Sequence, residues 1–200
     1  MEFNRQGSHE CPDSERKQGQ LLSEKLFYSG EKGDVNRCWE LIRNGADVNW
    51  RAGSDLWFRT PLMQAAKSGM TDVCKLYIEH GADVDVCTVS KYTALILGAR
   101  YGKTEVCQLL LSKGANVNSQ TKEGETALMW AAHNGHCETC KLLLESGAKI
   151  DLQDVYGFTA LIHAARDGHM DTCIVLLDFG VDVNAVSKLG NTVLLTVLLI

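Results

Sequence analysis

Apolar positions along the chain recur in short clusters separated by polar turns. Leu62, Ala65 and Ala66 return as Leu95, Gly98 and Ala99, as Leu128, Ala131 and Ala132, and as Leu161, Ala164 and Ala165, each set 33 residues after the last. Steps of three and four residues put each set on one face of a helix, and the small side chains predict helices that approach their neighbours closely. A second apolar cluster follows in every unit, Val73, Leu76 and Ile78 in one and Val106, Leu109, Leu110 and Leu111 in the next. Each unit therefore predicts two short helices.

Polar and small residues keep the same period. Thr60, Thr93, Thr126, Thr159 and Thr192 form one column, Gly69, Gly102, Gly135 and Gly168 a second, and Gly81, Gly114, Gly147 and Gly180 a third. Threonine is a good N-cap, and Pro61 directly after Thr60 stands where a missing N–H costs nothing. The glycines close the first and second helix of each unit, because glycine takes the left-handed conformation at low cost. Asp83-Val84-Asp85 and Asn116-Val117-Asn118 then supply turn-forming side chains that lead into a projecting hairpin. By the same count His163 is assigned to the column of Met63, Ile96 and Met129. An earlier unit fits if three residues are inserted: Gly33, Cys38, Gly45 and Asn49 lie 36 before Gly69, Cys74, Gly81 and Asp85. The extra length falls between Trp50 and Arg59, in a loop that absorbs it cheaply. A single unit would expose an apolar face, so the units are expected to stack.

The segments Thr60-Pro61-Leu62, Thr126 to His136 and Gly81-Ala82-Asp83-Val84-Asp85 resemble the ankyrin consensus, a family with this period. The resemblance covers roughly residues 21–200 and implies an all-α ankyrin-repeat solenoid of stacked helix-turn-helix units with projecting hairpin loops. The expected division is a flexible polar tail over 1–20, then units at about 21–54, 55–87, 88–120, 121–153 and 154–186, and a partial unit at 187–200. That last unit stops inside its first helix with an apolar end, Leu194 to Ile200, as a fragment or a shortened product would. A mixed helix over Leu21 to Ser29 is expected to cap the other end.

In this family partners usually dock on the concave surface made by the hairpin tips and the first helices. The resemblance therefore points to Trp57, Phe58, Arg59, Tyr92, Tyr156 and Phe158 at the tips and to Tyr101 and Trp130 on the helices. Phe58 and Lys91 stand where the family normally places a tip glycine. Lys67, Arg100, His133 and Arg166 form a basic ladder along the inner helices and suggest an acidic or extended polar partner. Exposed aromatics and arginine are the residue types that dominate binding hot spots. The resemblance also implies that Asn49, Asn118 and Asn184 could be hydroxylated, as related turn asparagines are by an oxygen-sensing hydroxylase.

Composition narrows the function without choosing the partner. The 200 residues are 45% hydrophobic and 22% charged, the balance of a globular protein, and a net charge of -5 with a pI near 5.7 gives no reason to expect nucleic acid. No apolar run is long enough for a leader or a membrane span, so a cytoplasmic or nuclear protein without membrane insertion is expected, monomeric unless its apolar C-terminal end pairs. Of the eight cysteines, Cys38, Cys74, Cys107, Cys140 and Cys173 share one column and are expected to be small buried hydrophobes. Cys137-Glu138-Thr139-Cys140, with His133 and His136 nearby, offers an alternative as half a zinc site or a redox pair. No phosphate-binding loop, dinucleotide fingerprint or zinc-protease motif is present. The expected function is protein binding as a scaffold or adaptor, with no catalytic activity and no cofactor. A finer alternative is the recognition or regulatory arm of a larger assembly such as a ubiquitin ligase, a channel or a kinase regulator.

Overall fold

The computed structural model describes residues 13–53, 58–188, 190 and 192. Among the described residues ten helices run in pairs: α1 (Asp13–Glu31) with α2 (Val35–Arg43), α3 (Pro61–Ser68) with α4 (Thr71–Glu79), α5 (Ala94–Arg100) with α6 (Thr104–Ser112), α7 (Ala127–His133) with α8 (Cys137–Glu145), and α9 (Ala160–Arg166) with α10 (Met170–Asp178). The odd-numbered helices pack in one row and the even-numbered in another, so every unit touches the unit before and the unit after it. This is a helical solenoid. Among the described residues the β-structure is one isolated bridge, Val186 to Thr192.

Local chemistry explains why each inner helix begins where it does. Thr60, Thr93, Thr126 and Thr159 are extended at their backbone, and each hydroxyl accepts the N–H of the residue three further on, at 3.2–3.4 Å. Of the outer helices, α2 is capped by the Asp34 carboxylate, which accepts Arg37 N–H, while α4, α6, α8 and α10 lack a side-chain cap. In α8 and α10 the N-cap side chain reaches back to the preceding unit instead: His136 Nε2 lies 3.2 Å from the Arg100 carbonyl and His169 Nε2 lies 3.0 Å from the His133 carbonyl. These imidazoles sit under Gly102 and Gly135, where a Cβ would come within 2.7 Å and 2.6 Å of the ring. Positive φ and the ring below both demand glycine there.

Two devices join the units outside the helices. Asn49 donates to the Gly81 carbonyl and accepts from Asp83 N, and Asn118 repeats the clasp on Gly147 and Lys149. At the tips, Lys122 N donates to Ser90 O, Val155 N to Glu123 O and Lys188 N to Tyr156 O, so each hairpin hangs on the one before it. The tips are tight turns, and Phe58 and Lys91 adopt φ of 56° and 62° there, the left-handed region that Gly124 and Gly157 occupy in later units.

The cysteine column is structural. Cys38, Cys74, Cys107 and Cys140 are fully buried and unpaired, and burial pushes the thiols of Cys74, Cys107 and Cys140 up to about 12. Cys173 is only partly buried. In α4 the buried set is Val73, Cys74 and Tyr77, while Leu76 and Ile78 pack at the margin. Helix α1 begins at Asp13, before the Leu21 start expected from hydrophobicity, so residues 13–20 are helical and not tail. Good helix formers such as Glu, Arg, Lys and Gln carry that polar stretch. Residues 1–12 and the apolar end over 193–200 lie outside the described residues.

Candidate partner-binding face

The residue four after each N-cap threonine points out of the inner row on the hairpin side. By the 33-residue count this column is Gln64, Leu97, Trp130 and His163. His163 therefore belongs with Trp130, and Ile162 is the residue that continues Met63, Ile96 and Met129. The column is the floor of the concave edge, and the hairpin tips fold over it.

On that floor the aromatic groups form a continuous row. Tyr92 lies 6.1 Å from Trp130, Trp130 meets His133 edge-on at 5.6 Å, His133 meets His163 at 5.8 Å, His163 meets Phe158 at 5.5 Å, and Tyr156 stands 6.4 Å from Phe158. Cations lie over it: the Arg100 guanidinium is 4.1 Å from the Trp130 ring, Arg166 is 5.6 Å from Phe158, and Lys67 Nζ is 5.4 Å from Tyr101. Tyr156 is 59% exposed and Tyr101 40%, large apolar area left in water.

The row divides into two clefts. The first, about 410 Å³, lies between Arg59, Tyr92, Arg100 and Tyr101, with Glu123 on its rim. The second, about 280 Å³, is walled by Trp130, Tyr156, Phe158 and His163, with Glu125 and Arg166 at its edges. Trp130 Nε1 is buried and makes no hydrogen bond of good geometry. The Glu125 carboxylate lies close enough for that N–H to favour its charged form, although burial is the larger influence and raises its pKa overall.

The basic ladder is uneven. His133 Nδ1 lies 2.6 Å from Asp167 Oδ2 and 3.1 Å from Arg166 Nη2, and Arg166 Nε lies 3.4 Å from the other oxygen of the same carboxylate. No carboxylate stands at ion-pair distance from Lys67 or Arg100 among the described residues. Beneath the second cleft His163 donates Nε2–H to Asp154 at 3.1 Å, and burial lowers the imidazole pKa despite this bond. Asp154 also accepts the N–H groups of Tyr156 and Phe158, which sets the tip that carries both aromatics.

The structure thus brings together Arg59, Lys67, Tyr92, Arg100, Tyr101, Trp130, His133, Tyr156, Phe158 and Arg166 on one edge. Phe58 is exposed at a tip, and Trp57 lies outside the described residues. Asn49 and Asn118 are the inter-unit clasps described above, and Asn184 N donates to Asp182 in its turn. Cys137 and Cys140 are not gathered with His133: Cys140 is in the core, and among the described residues no three potential ligands converge to hold a metal ion. Asp154 and His163, which shape the second cleft, are not among the edge residues expected from the sequence. The count from the N-cap threonine was the signal that could have found His163.

A family model of ankyrin repeats in three copies matches residues 26–121 and 113–187. The chain belongs to the ankyrin-repeat family, whose members bind other proteins. It is similar to the mouse 2-5A-dependent ribonuclease, 43% identical over 58 residues that cover 29% of this chain and 8% of the ribonuclease. It is 32% identical over 77 residues to the human histone-lysine N-methyltransferase EHMT1, covering 38% of this chain and 6% of the methyltransferase. It is 39% identical over 61 residues to the Arabidopsis thaliana serine/threonine-protein kinase 12, covering 30% of this chain and 13% of the kinase. The chain thus spans only a small part of each relative's length. Among the described residues no helix is long and apolar enough to cross a membrane.

Proposed function

We propose that this array is a protein-recognition module that holds its partner along the concave edge, with Arg59, Tyr92, Arg100, Tyr101, Trp130, Tyr156 and Phe158 as the principal contacts. The observation that carries this is the continuous aromatic row with cations over it, of which Arg100 has no carboxylate at ion-pair distance among the described residues, open to solvent and divided into two clefts. Tyrosine, tryptophan and arginine supply large contact area and directional bonds at small entropic cost. Its work is binding rather than bond-making, as a scaffold or as the recognition arm of a larger assembly. The relatives support the second form, since in each the matching segment is a small part of a protein named for an enzymatic activity. Buried unpaired thiols suit a reducing compartment such as the cytoplasm or nucleus.

The test compares the wild type with a Tyr101→Ala/Tyr156→Ala variant and with an outer-helix control, Ile174→Ala, in affinity capture read by quantitative mass spectrometry. All three substituted side chains are exposed, so the fold is retained. Proteins held by the wild type and by the control are expected to drop about tenfold with the tyrosine variant, as loss of two aromatic anchors implies. Equal retention by all three would remove the concave edge as the binding surface.

A further inference from the structure

Elsewhere in the described residues Arg43 lies over Trp39 and Arg51 donates to the Cys87 carbonyl, while two arginines meet acids. Arg37 is 2.9 Å from Glu40, and Arg166 is joined to Asp167. Among the described residues the two guanidinium groups of the first cleft meet no acid at ion-pair distance: Arg59 donates to the neutral Gln64 Oε1 at 3.3 Å, and the Arg100 guanidinium lies over Trp130, 4.1 Å from the ring centroid. Stacking uses the face of a guanidinium and leaves its N–H edge available. Lys67 stands beside the same cleft over Tyr101, and against these cations the lining offers one acid, Glu123. In a protein of net charge -5 this is a local concentration of positive charge. The hydroxyl-bearing side chains of Thr88, Ser90 and Tyr92 line the cleft as well. Paired guanidinium groups with hydroxyl neighbours are complementary to a carboxylate, which accepts two parallel N–H bonds from an arginine fork.

The second cleft is different in kind, aromatic on most sides with Tyr156 standing in solvent. Packed helices lie about 8–10 Å apart, so clefts one to two units apart are separated by roughly 10–20 Å. An extended chain covers that in about three to six residues at about 3.3 Å each. A folded partner would not need this regular spacing, whereas an extended segment laid along the tips meets both clefts in sequence.

We infer that the concave edge takes an extended peptide segment of its partner, with an Asp or Glu side chain between Arg59 and Arg100 and an aromatic or aliphatic side chain, three to six residues away, in the cleft walled by Trp130, Tyr156 and Phe158. This rests on the concave edge being the binding surface. The carboxylate supplies the charge that Arg59 and Arg100 lack within the chain. The apolar side chain covers the aromatic surface that the tips leave open.

The experiment pans the whole chain against a phage-displayed library of random peptides of about twelve residues, roughly 40 Å when extended. Selected peptides are resynthesised and titrated by calorimetry at low and high salt. The expected consensus has Asp or Glu at one position and an apolar residue three to six away. Affinity is expected to fall about tenfold or more with Arg100→Glu or Arg59→Glu, to fall with Tyr156→Ala, and to weaken in high salt. Panning the Arg59→Glu/Arg100→Glu protein, with its folding checked by circular dichroism, is expected to replace the acid in the consensus by Lys or Arg. Peptides that lose affinity with Tyr156→Ala but show no acid preference would overturn the inference and leave the concave edge as the binding surface. Peptides indifferent to all three variants would overturn both. Failure to select any peptide, or binding only when phosphoserine replaces the acid, would overturn the assignment of a carboxylate-bearing extended segment.

Discussion

Tyr77 shows how one residue fixes a junction between units. It occupies the column of Leu41, Leu110 and Leu143, yet its longer side chain crosses into the first unit, where the hydroxyl donates to the Leu26 carbonyl at 2.9 Å and lies 3.2 Å from Cys38 Sγ. Burial raises the phenol pKa, so the hydroxyl remains a donor. Room for it comes from Gly30, where an added Cβ would lie 2.2 Å from Tyr77 Oη. Helix propensity alone would favour alanine at Gly30 by about 1 kcal/mol. The contact reverses that preference: Gly30→Ala is expected to destabilise by about 2–3 kcal/mol through overpacking. Tyr77→Phe should cost about 1–2 kcal/mol for the lost hydrogen bond. Because the phenylalanine removes the clashing oxygen, the double variant should be more stable than the sum of the two by at least about 1 kcal/mol. Urea denaturation of the four proteins measures this, and additive losses would refute the contact.

At the scale of an element, the hairpin before α9 depends on a buried carboxylate. Asp154 is 6% exposed and holds two backbone N–H groups and the His163 imidazole. Asp154→Ala is expected to cost about 2–3 kcal/mol, since two N–H groups lose their acceptor in a partly buried tip. The imidazole adds a pH dependence of definite sign. Burial, only partly offset by Asp154, lowers the folded-state pKa of His163 below its ordinary value of 6.5. The unfolded chain therefore binds the proton first, and stability falls as pH drops through that value and below it. The melting temperature of the wild type is expected to fall more between neutral pH and about pH 5.5 than that of His163→Gln, with the window set by an unperturbed histidine. Parallel curves would show that the imidazole titrates as freely as in the unfolded chain. This hairpin also shows what the sequence could and could not reveal. The inner-helix caps were legible because Thr60 and its equivalents act on residues three positions away, within one repeat. Asp154 binds a histidine nine residues on, only after the tip has folded back over α9. Placing His163 one column off hid the partnership. Likewise the spacing pointed to Tyr92, Trp130, Tyr156 and Phe158 as edge residues, but the division into a cationic and an aromatic cleft depends on Arg166 meeting its neighbour Asp167 while, among the described residues, Arg59 and Arg100 meet no acid at ion-pair distance.

Among the described residues the main helix contacts run within a unit or between adjacent units, as α7 packs between α5 and α9 and α8 between α6 and α10. No layer spans the stack from end to end, so stability is a sum of unit and interface contributions. A lesion in the middle should then act asymmetrically. Leu128 is 1% exposed at the centre of the fourth unit, and Leu128→Ala is expected to cost about 3 kcal/mol, within the range for a buried leucine. The first three units keep their mutual interfaces when the fourth loosens. The fifth loses the neighbour on which α9 and α10 rest, and two short helices do not stand alone. Native-state hydrogen exchange read by mass spectrometry should therefore show faster exchange in α9 and α10 than in α1 to α4 of the same variant. Leu26→Ala, which truncates a fully buried side chain in the first unit, should reverse the pattern and accelerate α1 and α2 most. A uniform acceleration along the chain in both variants would mean that the units open together, and the concave edge would then be one rigid surface and not a row of separately tunable clefts.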